Sequence, residues 1–164
     1  LNPVIDFNFK GIRISAVVEM EPCTYKDGNN RARTRFDREV TVAVHFWDFI
    51  ITYGNLYELA FIKAILNYFM QAYWKRSSKE GSRIELEKAL LRPEYHGVQE
   101  ALCFVAKQKD KKNYLHIWHE KNGKTIKEVY LDGQEVIMLD IALGKAVNLM
   151  TPQPAHHVSR SIFG

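Results

Sequence analysis

Residues 39–75 constrain this chain more than any other stretch, because they set an alternating strand directly before a helix that is apolar nearly all round. Val40, Val42, Val44 and Phe46 alternate with Glu39, Thr41, Ala43 and His45, the period-two pattern of a half-buried strand rich in β-branched residues. A short helical piece is expected next, from Trp47 to Tyr53, ended by Gly54, the residue type that closes helices at little steric cost. Asn55 and Glu58 then have the spacing of a capping box. The helix that follows carries a stripe of Leu59, Ile62, Leu66, Phe69 and Tyr73, while Phe61, Ile65, Tyr68 and Met70 extend apolar surface over most of its circumference. Such a helix needs cover on more than one side. The expectation is a sheet on one side and a second subunit on the other.

A chain of 164 residues fits one domain, 1–164, that can bury a substantial core without disulfides. Cys23 and Cys103 are far apart and the six histidines are scattered, which argues against a zinc site or a disulfide framework. No metal or cofactor is expected. The 23 Lys and Arg against 19 Asp and Glu leave a net charge of +4, a mild basic excess that suits a polyanionic partner only if the cations share a face. No apolar run approaches the ~18 residues of a membrane span, and no signal peptide is visible. The chain opens on Leu1 rather than Met, so an upstream presequence, either trimmed or lying outside this sequence, is the expectation.

Taken in order, Ile12, Ile14, Ala16, Val18 and Met20 fall on one side of an extended segment that follows Lys10-Gly11 and is expected to end at Glu21-Pro22, since proline cannot donate to a sheet ladder. Tyr25 to Asn30, with Asp27-Gly28-Asn29-Asn30, is the clearest turn. Arg31, Arg33 and Arg35 then alternate with Ala32, Thr34 and Phe36, so in an extended segment the three guanidinium groups point one way. They read either as a solvated edge kept basic against aggregation or, with Lys10, Arg13 and Arg38, as a phosphate-binding strip.

A polar connector from Lys75 to Arg83 separates two halves, about 4–75 and 82–150. Ile84 to Leu91 suits a helix nearly as well as a strand, and Pro93 and Gly97 close it. Ala101–Gln108, Tyr114–Glu120 and Thr125–Leu131 are three short strands, linked by turns at Lys109–Asn113 and Lys121–Lys124, the second a hairpin on its Asn-Gly pair. Asp132 and Glu135 make a capping box for a last helix with the stripe Val136, Leu139, Leu143, Val147 and Met150. Strands followed by a capped apolar helix thus occur twice. The tail 151–164, with its prolines and His156-His157, reads as irregular.

No Gly-rich phosphate loop, nucleophile elbow or H-E-x-x-H helix is present, and no catalytic residue is expected. On a strand His119 and Glu120 point to opposite faces, which removes the one tempting acid–base pair. Tyr114, His116 and Trp118 share a side opposite Leu115 and Ile117, and that aromatic side is left to packing or to stacked bases. Basic groups come from separated segments: Lys10 and Arg13, Arg31 to Arg38, Lys107, Lys109 and their neighbours to Lys112, and Lys121 to Lys127 with Lys124. Gathered on one surface they would track phosphates without reading sequence.

Phe9-Lys10-Gly11 opening a strand that closes at Glu21-Pro22, and Phe36-Asp37-Arg38-Glu39-Val40 running on into Val42 and Val44, resemble the Whirly proteins over most of residues 7–150. Lys10-Gly11-Ile12-Arg13-Ile14-Ser15 stands where plant members carry a small-residue run, and the chain is more similar to the trypanosomatid mitochondrial guide-RNA-binding relatives. The resemblance implies an α+β fold of two antiparallel sheets, each followed by a helix. It further implies a mitochondrial tetramer of one or two related subunits that holds single-stranded RNA by its phosphates, bases free to pair with a second strand in RNA editing. Lys10 is the one residue carried over by motif. The alternatives are a single-stranded DNA binder of organelle genome maintenance or transcription, and a protein-interaction scaffold.

Overall fold

The computed structural model describes residues 3–51, 56–76, 83–91 and 99–150. In chain order the elements are β1 (Ile5–Phe9), β2 (Ile12–Lys26), β3 (Ala32–Phe46), β4 (Phe49–Ile51), α1 (Leu56–Arg76), β5 (Ala89–Leu91), β6 (Glu100–Lys109), β7 (Lys112–Lys121), β8 (Lys124–Leu131) and α2 (Gly133–Met150). They form two four-stranded sheets, β1-β2-β3-β4 and β5-β6-β7-β8, antiparallel throughout. Each sheet is a simple meander followed by a helix, the α+β arrangement that the resemblance implies.

Turn chemistry explains why neighbours pair. Lys10-Gly11, Asp110-Lys111 and Asn122-Gly123 each put two consecutive residues at positive φ between directly paired strand ends, the backbone of a type I′ hairpin that matches the right-handed twist of its strands. Gly11 meets a second demand: a Cβ there would lie 2.5 Å from the Trp47 indole, with φ at +84°. The expected helix from Trp47 to Tyr53 is a hairpin instead over its described part. Trp47 turns at φ 57° and its N–H donates to the Gly11 carbonyl at 3.2 Å, so β4 folds back and buries Phe49 and Ile51 beside Phe46. Gly54 and Asn55 lie outside the described residues; Glu58 occupies the first turn of α1, where burial pushes its carboxyl above the usual range.

Pro22 does not end its strand. β1 stops pairing with β2 at Ala16, which among the described residues leaves the far edge of β2 open, and an edge is where a residue without an N–H is tolerated. β2 and β3 therefore continue together as a two-stranded ribbon to Lys26 and Ala32. Its base is core, with Ile12, Ile14, Ala16, Val42, Val44 and Phe46 buried, whereas Met20, Tyr25 and Phe36 are exposed. The tip is held by Asp27, whose Oδ1 accepts the N–H groups of Asn29 and Arg31.

α2 begins with the expected reciprocal cap: Glu135 donates its N–H to Asp132 Oδ1 at 2.9 Å and Glu135 Oε1 accepts the Asp132 N–H at 3.1 Å. It packs on α1 and on strands of both sheets, with Val136, Leu139, Leu143 and Ala146 buried. Phe46 and Phe104 meet edge to face at 6.4 Å and join the sheets in one apolar cluster. Residues 83–88 form no regular element and 89–91 form β5, not a helix; the Tyr68 hydroxyl donates to the Glu85 carbonyl and the Ile84 N–H donates to Asn113. α1 buries Leu59, Ile62, Ile65, Leu66 and Phe69, and exposes Phe61, Tyr68 and the 91% accessible Tyr57 on one stripe. No described helix is long and apolar enough to cross a membrane. The connector 77–82, Pro93, Gly97 and the tail lie outside the described residues.

Candidate nucleic-acid interface

Strand alternation divides the expected cations into groups. In β2 and β3 the even-numbered residues Ile14, Ala16, Val42 and Val44 are buried, so Arg13, Arg33 and Arg35 lie on the opposite, outer face. Arg38, at an even position and paired with Met20, is on the helix side, where its guanidinium approaches the Leu149 carbonyl at 3.5 Å. Arg13 pairs with His45, whereas Arg35 pairs with Cys23 ten residues further along β2, a separation of about 33 Å at ~3.3 Å per residue. Between them stand Glu19 opposite Glu39 and Glu21 opposite Asp37. Carboxylate oxygens of Glu19, Glu21 and Glu39 lie within 4.8 Å of one another. A continuous basic strip on this sheet is therefore absent, and the four carboxylates interrupt it.

The tip arginines also have partners. Arg33 Nε is 2.9 Å from Asp27 and Arg35 Nε is 3.2 Å from Asp37, with the Arg35 guanidinium over the Tyr25 ring. Main-chain donation from Arg31, then the Arg33 guanidinium, holds the Asp27 carboxyl below its usual range. Lys10 stands on the β1–β2 turn and binds Glu135 at 2.8 Å, so the motif lysine braces the capping box of α2. These pairs are exposed enough to contribute little and can be exchanged for a phosphate.

The outer face of the second sheet does gather the predicted groups. Leu102, Phe104, Leu115 and Ile117 face the core, leaving Val105 opposite His116, Lys107 opposite Tyr114 and Lys109 opposite Lys112 on the other side. Lys107, Lys109 and Lys112 are all exposed. Beside them runs a row of rings across the strands. Tyr130 and His116 are parallel within 3° at 4.2 Å, and His116 and Trp118 follow at 4.5 Å. Lys88 lies over the Trp118 ring at 5.3 Å. Carboxylates lock the row: Glu128 bonds His116 Nε2 at 3.0 Å, and Trp118 Nε1 donates to Glu120 at 2.8 Å. That indole hydrogen bond, ahead of the Lys88 charge, keeps the Glu120 carboxyl below its usual range against the opposing effect of burial. Lys124 sits on the β7–β8 turn paired with Lys121, at the other end of this sheet from Lys109.

Tyr130 and Lys88 were not anticipated from sequence. An Asn-Gly hairpin counted straight back from Lys121–Lys124 would set Val129 against His116. A bulge between His119 and Glu120 shifts the register by one and brings Tyr130 there instead. Bulges leave little trace in composition. His119 itself is buried on the core face, its Nε2 bonded to Glu100 and its ring edge against Phe49, while Glu120 is on the outer face, as alternation requires.

Neither the comparison with family models nor that with curated proteins finds a match. Among solved structures the chain is similar to two Arabidopsis thaliana Whirly proteins. WHY1 is 8% identical, with 99% of this chain and 92% of that chain covered at a TM-score of 0.39; WHY3 is 8% identical, with 92% and 88% covered at 0.32. Likeness at this level carries nothing about activity from those proteins to this chain.

Proposed function

We propose that the outer face of the β5–β8 sheet binds single-stranded nucleic acid, RNA in the first place, without reading its sequence. The observation that supports this reading is the ring row Tyr130–His116–Trp118 lying beside Lys107, Lys109 and Lys112 on one sheet face, the combination of aromatic surface and cations that single strands require. Its carboxylates are engaged by His116, Trp118 and Lys88, so the lysines meet phosphates without a competing acid in the row. Arg31, Arg33 and Arg35 at the ribbon tip form a second cation group. Contacts of this kind grip the backbone and leave most bases free. The finer role proposed is therefore annealing of complementary strands, as between a guide RNA and an mRNA in mitochondrial RNA editing. The exposed stripe Tyr57, Phe61 and Tyr68 of α1 is proposed as the contact with further subunits of a tetramer.

The test is anisotropy titration of a labelled uridine 20-mer across a range of salt. Each phosphate neutralised contributes a slope near −0.7 in log K against log salt, so the triple change of Lys107, Lys109 and Lys112 to Gln should reduce the slope by about 2. A wild-type slope near zero would refute the reading. Competition with the matching DNA oligomer separates RNA from DNA as the preferred strand, since the 2′-hydroxyl is the chemical difference.

A further inference from the structure

Resting on that nucleic-acid reading, we infer that Tyr130 at the edge of the β5–β8 sheet is the platform on which an unpaired base stacks, and that His116 and Trp118 serve to hold it. The sequence pattern points to His116 and Trp118 as the bases' partners, but the geometry removes both. At centroid separations of 4.2 and 4.5 Å, Tyr130 and Trp118 cannot lie side by side on one face of the imidazole without interpenetrating, so they occupy opposite faces. His116 thus has no face left and is only 9% exposed. Trp118 gives one face to His116, has the Lys88 ammonium over its ring, and spends its N–H on Glu120.

Tyr130 is the open end of the row. β8 is an edge strand, and among the described residues no strand lies beyond it on that side. The ring is 42% exposed, with its inboard face on His116, and among the described residues no second ring or cation lies against it. An exposed tyrosine ordinarily samples several rotamers, and ordering it on a ligand costs entropy. Here the parallel stack on His116, fixed in turn by Glu128, holds the ring ready before a ligand arrives, which lowers the cost of binding. The occupant must be an unpaired nucleobase, because bases inside a duplex already have both faces covered. The cations on Tyr130's own face are Lys107, Lys109 and Lys112 of β6 and β7, whereas Lys127 pairs with the core-facing His119 and stands on the other face.

The experiment uses an adenosine 12-mer RNA carrying one 2-aminopurine, whose fluorescence falls when the base stacks. Wild-type protein should quench it; Tyr130→Phe should quench it equally; Tyr130→Ala should lose the quenching and bind about five- to 150-fold more weakly, with the salt slope unchanged. An oligomer with an abasic residue in place of each base should show no difference between wild type and Tyr130→Ala. If the wild type binds with a steep salt slope and Tyr130→Ala matches it in affinity and quenching, the inference is overturned while the phosphate-binding reading stands. If the wild type does not bind the oligomer, both fall. Because Tyr130 also stacks on His116, Tyr130→Ala should lower the melting temperature by a few degrees but retain the wild-type circular dichroism, which keeps the comparison valid.

Discussion

Replacing Gly11 by alanine tests the most demanding local claim in the structure. The residue sits at φ +84° with the Trp47 indole where a Cβ would go, 2.5 Å from Cδ1 and Nε1. Forcing an L-residue into left-handed backbone costs about 1–2 kcal/mol, and pushing a methyl into a packed neighbour costs about 1–3 kcal/mol more. The sum is a loss of ~2–5 kcal/mol, a large part of the stability of an ordinary domain. The two contributions separate in a double-mutant cycle. In a Trp47→Ala background the steric part vanishes, so Gly11→Ala should cost only about 1–2 kcal/mol there. Urea denaturation followed by far-UV circular dichroism gives all four free energies, provided the m-values agree. Equal costs in both backgrounds would refute the contact with Trp47, and a cost near zero in the wild-type background would refute the left-handed turn itself.

Asp132→Ala removes the acceptor for the Glu135 N–H and should cost about 1 kcal/mol, or roughly 2–4 °C in melting temperature, whereas Asp132→Ser should retain most of it. Glu39→Gln relieves a like-charge pair directly opposite Glu19 and should raise stability by about 0.2–1 kcal/mol at low salt, less at high salt; a loss would show that these carboxylates do not repel. Because the folded Asp27 carboxyl is held below its usual range, the order it gives the ribbon tip is present above the ordinary carboxylate pKa and disappears as pH falls through the depressed value. Amide exchange at Asn29 and Arg31 should therefore quicken on acidification, and Asp27→Asn should abolish that pH dependence.

Much of this architecture is legible in local chemistry. The Asn122-Gly123 turn, the Asp132 and Glu135 cap and the alternation of Leu115 and Ile117 with His116 and Trp118 all fall where propensity and period place them. Trp47 to Tyr53 misleads because an apolar pair three residues apart, Phe46 and Phe49, fits a helix as well as two strands across a tight turn, and what decides is a hydrogen bond to Gly11 from another hairpin. Pro22 misleads because whether proline is tolerated depends on which edge of β2 is open, a property of the whole sheet. At the site, alternation sets Tyr114, His116 and Trp118 on one side of β7, to which the β6–β7 register then adds Lys107 and Lys109. It could not show that Arg13 and the tip arginines are parted by Glu19, Glu21, Asp37 and Glu39, which follows only from the β2–β3 register. Nor could it show that the open ring is Tyr130, which depends on one inserted residue at the bulge.

A ribosome delivers α2 only after β1–β8 have emerged, yet this helix seals both sheets. Each meander can zip locally from its own tight turns as it is synthesised, but until α2 arrives Phe46, Phe104 and the aliphatic residues around them wait in water. A chain with that timetable has a long vulnerable interval during translation. Once the helix has docked, its release would loosen both sheets at once, so damage to its N-terminal anchor near Lys10, Asp132 and Glu135 should be felt as far away as the lysines of β6.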